Sequence, residues 1–196
     1  METLPRLLTA MLEESEARER ILSSVTPGAV TWVPLELSLG QALAQEVIGV
    51  VDSPPFDNSS MDGYAVGAVE AHTGALLRLA PIEQAAGEDL GLTLEAGTAI
   101  RIFTGAPIPR GADAVVMQEA VTQNDAMIEV LEGVEAGENI RRRGGDVCAG
   151  QKLLAPGAVM TPTQIGLIAS QGIPEVPVDG RPLVQIVTTG DELVEP

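Results

Sequence analysis

Asp52-Ser-Pro-Pro-Phe-Asp-Asn-Ser-Ser-Met-Asp-Gly-Tyr-Ala-Val66 is the least ordinary stretch of this 196-residue sequence. The tandem Pro54-Pro55 fixes two φ angles and biases Ser53 and Pro54 toward extended geometry. Asp57-Asn58-Ser59-Ser60 follows, with side chains that bond their own backbone and favour turns over helix or sheet. Met61-Asp62-Gly63-Tyr64 then supplies two residues, Asp62 and Tyr64, able to do chemistry or bind a ligand. Phe56 and Tyr64 are two of only four aromatics in the chain, so half of the aromatic content sits in one polar loop. Gly63 marks a positive φ or a close backbone approach beside a carboxylate. A tight surface turn capped by two aspartates fits the composition equally well.

The twelve residues from Pro55 to Val66 closely resemble the hallmark of the molybdopterin molybdenumtransferases, the MoeA / gephyrin E-domain family. A match of that length is far more specific than a short glycine motif. Three later blocks carry the same resemblance, with looser matching between them, notably in the N-terminal helix and residues 67–97.

Composition narrows the function classes. Hydrophobic residues make up 45% of the chain but aromatics only 2%, so the core is aliphatic. The net charge of −17 excludes a broad nucleic-acid groove or an anionic membrane patch. An anionic ligand would need local arginines or a divalent cation to reverse that field nearby. The single Cys148 rules out an internal disulfide and fits a reducing compartment, and with His72 as the lone histidine no Cys/His metal site is possible. No basic-then-apolar leader opens the chain and no apolar run reaches membrane-spanning length. The expectation is a soluble, cytoplasmic protein with no membrane or nucleic-acid partner.

Leu4, Leu7, Leu8, Met11 and Leu12 recur at helical spacing and Ile21-Leu22 resume that face, with Glu14–Arg18 and Glu16–Arg20 as supporting i,i+4 pairs. Thr26-Pro27-Gly28 stops the helix. Trp32, in the extended Val30–Leu37, is expected to pack. Ser38 is read as the cap of a short helix over Leu39–Glu46, and Val47–Val51 as a strand entering the special loop. Residues 53–138 hold fourteen acidic side chains against three basic ones, whereas 139–196 are nearly balanced. The middle is dense in strand-like runs, Ala75–Ala80, Thr98–Phe103, Ala114–Gln118 and Met127–Leu131, separated by Gly/Pro/Asp turns; this suggests a small barrel or sandwich.

The strand Thr98–Phe103 leads into Thr104-Gly105-Ala106-Pro107-Ile108-Pro109, a stiffened loop offering a hydroxyl and backbone N–H groups. With the following Gly111-Ala-Asp-Ala-Val-Val-Met-Gln-Glu119, this is similar to the family's second block, and the resemblance implies that Thr104 faces an active-site cleft. Asn139-Ile-Arg-Arg-Arg-Gly-Gly-Asp146 is the only basic cluster. Guanidinium forks suit phosphate and other oxyanions, but pairing with the acidic middle is the plainer account. The family has a similar block whose aspartate, here Asp146, belongs to the cleft; Gly145 stands where an acidic or polar residue is common. Thr161-Pro162-Thr163-Gln164 reads as a capping box starting a helix through Ser170 that Gly172 ends, with Ile173–Val178 a strand after it. Pro182 to Leu193 resembles the first strand of a parallel α/β sheet delivering Thr-Thr-Gly-Asp-Glu to its carboxyl edge. A lone strand cannot make such a sheet, so the expectation is a fragment cut just inside its next domain.

The expected fold is α+β and β-rich. It has an elongated helix-plus-strand base (1–52 plus 139–181, for dimerisation), an inserted β-barrel-like domain (53–138), and the start of a truncated molybdopterin-binding α/β domain (182–196). The resemblance implies an enzyme of molybdenum cofactor biosynthesis, inserting molybdate into adenylylated molybdopterin with release of AMP, and inactive as this fragment alone. By resemblance, Asp62, Thr104, Asp146 and Glu192 are the catalytic candidates. Asp62 and Asp146 are metal candidates with Mg²⁺ as the ion, Thr104 positions an oxyanion, and Glu192 faces them from the partner across a homodimer. Ser60, Gly63, Tyr64, Gly105, Arg141, Arg142 and Arg143 are substrate- or anion-binding candidates. A molybdopterin adenylyltransferase is the expected upstream partner. Two rival readings stand beside this one: a non-enzymatic dimerisation scaffold, as the gephyrin branch suggests, and a carboxylate-pair hydrolase built on Asp57 and Asp62, which the poverty of aromatics disfavours.

Overall fold

The computed structural model describes residues 12–26, 28–182 and 184–185. In chain order the elements are α1 (Glu14–Ser24), β1 (Val30–Pro34), β2 (Val47–Ile48), β3 (Asn58–Ser59), β4 (Gly63–Val66), β5 (Leu76–Gln84) and β6 (Thr98–Ile102). Then come β7 (Ala114–Met117), β8 (Val121–Asn124), β9 (Met127–Val130), β10 (Ile140–Arg141), β11 (Lys152–Leu154), α2 (Pro162–Ser170) and β12 (Glu175–Asp179). The fold is β-rich, as expected, and the chain divides into two compact units, Met1–Glu46 with Leu154–Pro196 and Val47–Leu153.

In the first unit, β1 pairs antiparallel with β12, Val33 lying opposite Val176. Leu35, Leu43, Met160, Ile168, Val176 and Val178 are its buried apolar side chains. The capping box forms as read: the Thr161 N–H donates to Gln164 Oε1 at 2.7 Å while the Gln164 N–H returns to Thr161 Oγ1, and Pro162 opens α2. Gly172, at φ +71°, follows its end. Helix α1 carries the Glu16–Arg20 pair at 2.6 Å, but none of its residues is buried and Ile21 and Leu22 are exposed. Leu4 to Met11 and Pro27 lie outside the described residues.

Two expectations fail here. Trp32 does not pack but is 60% exposed, because among the described residues β1 pairs with β12 alone. No helix forms over Leu39–Glu46. Ser38 Oγ donates backward to the Leu35 carbonyl, closing a 3-10 turn at Leu35–Leu37, and Gly40 takes φ +73°. The backbone beyond it is claimed by extended neighbours instead: Leu43 N–H bonds Ala158 O, Gly157 N–H bonds Leu43 O, and Asp179 N–H bonds Ala42 O. Pairing with distant backbone outweighs the weak local preference of a short segment.

The second unit is organised by a six-stranded sheet in the order β7-β4-β6-β5-β9-β8, antiparallel except for the parallel β5–β6 pair. Four of these strands match the expected runs, β5 extending past its predicted end. It crosses Pro81 through a register shift between Leu79 and Glu83, the usual remedy for a residue without an N–H. Strand β4, hidden in the polar stretch, and the exposed, polar β8 were not foreseen. All four residues of β4 are buried because both faces of the sheet are covered. Alternation sends Tyr64 and Val66 into one core with Ala99, Val116, Ile128 and Val130, and Ala65 into another with Ile100, Ile102, Ala106 and Val115. The sheet curls, since the Tyr64 hydroxyl on β4 donates to Gln123 Oε1 on β8 at 3.0 Å although these strands are far apart in sheet order.

Gly63 is explained by close approach. A Cβ there would stand 2.0 Å from the Val116 carbonyl oxygen, a backbone atom that cannot move aside.

Candidate functional site

Strand β3 gathers three distant stretches within the second unit. On one side the Ser59 N–H bonds Ala106 O and the Gly105 N–H bonds Ser59 O, at 3.0 and 2.8 Å. On the other, β3 pairs antiparallel with β10, Ser59 opposite Ile140 and Asn58 opposite Arg141, and the Ser60 N–H bonds Asn139 O. Residues 58–62, 104–106 and 139–141 are thereby neighbours.

Asp62 sits between β3 and β4, its carbonyl tied to the Gln118 N–H. Its Oδ1 accepts from both the backbone N–H and the hydroxyl of Thr104, each at 2.8 Å. These bonds hold the Asp62 carboxyl below the ordinary carboxylate value, the Thr104 backbone N–H first, then its hydroxyl, with the charge of Arg101 adding to them. Asp62 and Thr104 are therefore joined directly. The hydroxyl proton is directed at the carboxylate, so what Thr104 presents to a ligand is lone pairs. Nor does the loop offer free backbone donors, as its sequence suggested. The N–H groups of Thr104, Gly105 and Ala106 go to Asp62, Ser59 O and Phe103 O. Gly105, at φ +82°, makes the turn that allows this.

Arg101, which sequence reasoning passed over, braces this pair. Its Nη1 donates to the Gly63 carbonyl at 3.3 Å and its Nη2 to Gln118 Oε1 at 2.5 Å. Its guanidinium lies 5.0 Å from the ring centroids of both Tyr64 and Phe103. The available signal was one cation inside a strand, two residues from an aromatic, in a region with three basic residues in all. Arg101 also borders a cavity of about 550 Å³ with Leu79, Pro81, Glu83 and Gln123, a cavity that Asp62 and Thr104 do not line.

The arginine cluster is paired within the same unit. Arg141 Nη2 meets Asp146 Oδ2, Arg142 Nη1 meets Asp57 Oδ2 and Arg143 Nε meets Asp52 Oδ2, each at 2.6 Å. Asp57 is held below the ordinary carboxylate value by the Arg143 backbone N–H and then by Arg142; Asp52 by the Ala149 N–H and then by Arg143. Pairing with the acidic middle is realised by Arg142 alone, through Asp57; Arg141 and Arg143 meet Asp146 and Asp52, which lie outside residues 53–138. Asp57 and Asp62 have different partners, which gives a carboxylate-pair hydrolase no footing.

The expected site residues thus fall into groups. Asp62, Thr104, Gly63 and Gly105 come together; Ser60 adjoins them through Asn139; Asp146 is engaged with Arg141. Tyr64 is buried, with its hydroxyl on Gln123. Glu192 lies outside the described residues. Among the described residues, no three His, Cys, Asp or Glu side chains converge as a metal site, and no helix is long and apolar enough to cross a membrane.

The fold and this meeting of the 58–62 and 104–106 stretches define a type of domain that comparison identifies. The family described as the MoeA N-terminal region (domain I and II) matches residues 12–172, and the chain belongs to it. It is 39% identical over 187 residues to the molybdopterin molybdenumtransferase of Haemophilus influenzae, covering 94% of this chain and 46% of that protein. It is also 39% identical over 170 residues to molybdopterin molybdenumtransferase 2 of Mycobacterium tuberculosis, covering 84% and 42%. The crystal structure of the molybdopterin biosynthesis moeA protein from Pyrococcus horikoshii OT3 superposes with a TM-score of 0.72 at 35% identity, covering 76% of this chain and 41% of that one. The chain spans a little under half the length of the curated relatives it matches.

Proposed function

We infer that the full-length protein acts in molybdenum cofactor biosynthesis as a molybdopterin molybdenumtransferase, inserting molybdate into adenylylated molybdopterin with release of AMP. The observation that carries this reading is the direct bond between Asp62 and Thr104, from two blocks 42 residues apart, in a chain whose relatives bear that name. Asp62, ionised and held by Thr104, supplies a fixed acceptor at the cleft. Asp146, with Arg141, and Glu192 complete the proposed catalytic set. Ser60, Gly63, Gly105 and the arginines shape the approach of the anionic substrate.

A magnesium ion fits this donor set in part. Mg²⁺ commonly binds through one or two carboxylates, with waters and substrate phosphates supplying the rest. Asp62 Oδ2 accepts no hydrogen bond among the described residues, and Thr104 presents lone pairs, so these two would hold it. Asp146 Oδ2 is taken by Arg141, so Asp146 would offer its other carboxylate oxygen. Bound there, the ion would offset the charge of the substrate's phosphates.

Residues 1–52 with 139–181 form the base of a homodimer in this reading, supported by the exposed Ile21, Leu22, Trp32, Leu37 and Leu39. Residues 53–138 form the inserted domain and 182–196 begin the pterin-binding one. The substrate comes from a molybdopterin adenylyltransferase, and the setting is the cytoplasm. Incubating the full-length protein with adenylylated molybdopterin and molybdate should release AMP, and Asp62→Ala should lower the rate at least tenfold. AMP release that is absent in the unsubstituted protein, or indifferent to both Asp62→Ala and Asp146→Ala, would favour the scaffold.

A further inference from the structure

Four contacts of one side chain bear on both members of the Asp62–Thr104 pair. Arg101 bonds the carbonyl of Gly63, the residue after Asp62, and stacks on Phe103, the residue before Thr104. It bonds the side chain of Gln118, whose own N–H holds the Asp62 carbonyl. Its guanidinium also lies 5.0 Å from the ring centroid of Tyr64, whose hydroxyl is anchored on Gln123. The guanidinium thus spans the backbone on either side of the hydrogen bond between Asp62 and Thr104.

We propose that Arg101 is a positioning residue for the candidate site, holding Asp62 and Thr104 in register by bridging Gly63 and Gln118 while lying over the rings of Tyr64 and Phe103. The bridge needs a planar fork. Two N–H groups of one guanidinium reach two acceptors while it lies over the rings, and the ammonium of lysine, a compact point charge, cannot do both. Arg101 touches no reacting atom in this assignment; it acts through Asp62 and Thr104. The proposal rests on the transferase reading only for its kinetic arm.

The test uses the intact protein with Arg101→Gln and Arg101→Lys. The first readout is hydrogen exchange of the Thr104 amide, whose acceptor is Asp62 Oδ1. Both variants should speed exchange of that amide at least tenfold, while the Val130 amide, bonded to Ala75 O in the same sheet, keeps its protection. The second readout is the split between kcat and KM in the full-length enzyme: kcat should fall at least tenfold in both variants with KM changed less than threefold. Unchanged Thr104 exchange overturns the proposal. So does loss of protection at Thr104 and Val130 together, which marks a general structural role, or recovery in Arg101→Lys, which shows that charge alone suffices. A raised KM with kcat preserved also overturns it, by making Arg101 a ligand-binding group of the neighbouring cavity. If the unsubstituted protein releases no AMP, the transferase reading fails while the exchange result still decides the role of Arg101.

Discussion

Two regions of the second unit engage their aspartates through different side-chain partners. Around β4, Asp62 is gripped by the neutral Thr104, with Arg101 one step removed. Around β10 and the turn after it, Asp52, Asp57 and Asp146 are each met by an arginine at 2.6 Å. In the second arrangement each carboxylate faces a cation. In the first, the side-chain donor is neutral, and Asp62 Oδ2 accepts no hydrogen bond among the described residues. The contrast explains how a chain of net charge −17 can hold one reactive-looking carboxylate apart from its other acids. Pairing quiets some of them, and a neutral clamp preserves Asp62.

The contrast can be broken most severely at Gly63. Gly63→Ala drives a Cβ to 2.0 Å from the Val116 carbonyl, so β4 must separate from β7. Destabilisation should reach or exceed the upper end of the ~1–3 kcal/mol typical of overpacking, read from the urea midpoint. The arginine-paired region should keep its amide protection longer than β4. A fully stable variant would show that the sheet tolerates what its geometry forbids.

A smaller effect is expected from Asp57→Asn. It weakens the bonds from Arg142 and the Arg143 N–H, and since both side chains are over a third exposed the loss is held to ~1 kcal/mol by solvent screening. Thermal unfolding measures it.

The pH dependence follows from the direction of the shifts. Asp52, Asp57 and Asp62 all have folded-state pKa values below 3.8, so the unfolded chain binds protons first as pH falls. Their contribution to stability is complete above that value and is lost on acidification through the lower folded values. Unfolding free energy should be level from pH 7 to about 5 and decline below about 4. Asp57→Asn should flatten the decline, and a decline beginning near neutrality would contradict these assignments.

Salt gives the smallest effect and the sharpest division. Raising ionic strength to 1 M, where the Debye length is about 3 Å, should weaken the exposed Arg142–Asp57 pair by a few tenths of a kcal/mol. The bond from Thr104 to Asp62 has a neutral donor, so exchange of the Thr104 amide should not respond to salt. An equal response of both regions would erase the distinction between them.

Much of this was legible along the chain. The capping box at Thr161 and the strand runs at Thr98, Ala114 and Met127 depend on residues within one turn or one period of each other, and they formed as read. The stretch at 52–66 stood out for a local reason, a carboxylate beside a glycine in a turn-rich segment. Leu39–Glu46 was misread for the opposite reason: the acceptors that claimed its backbone lie at Ala158 and Pro177, over a hundred residues away. Trp32 belongs to the same class of error, since exposure depends on how many neighbours a strand acquires.

The sequence by itself determined the family, the β-rich character and the identity of the residues able to carry charge, because those follow from composition, spacing and local propensity. Only the tertiary structure decided that the Thr104 hydroxyl turns to Asp62, that each arginine of the 141–143 cluster meets an aspartate, and that Arg101 bonds Gly63 and Gln118. Hydrogen bonds between groups 42 or 85 residues apart exist only once β4 lies beside β6 and β3 beside β10, and nothing in the local sequence encodes which donor finds which acceptor.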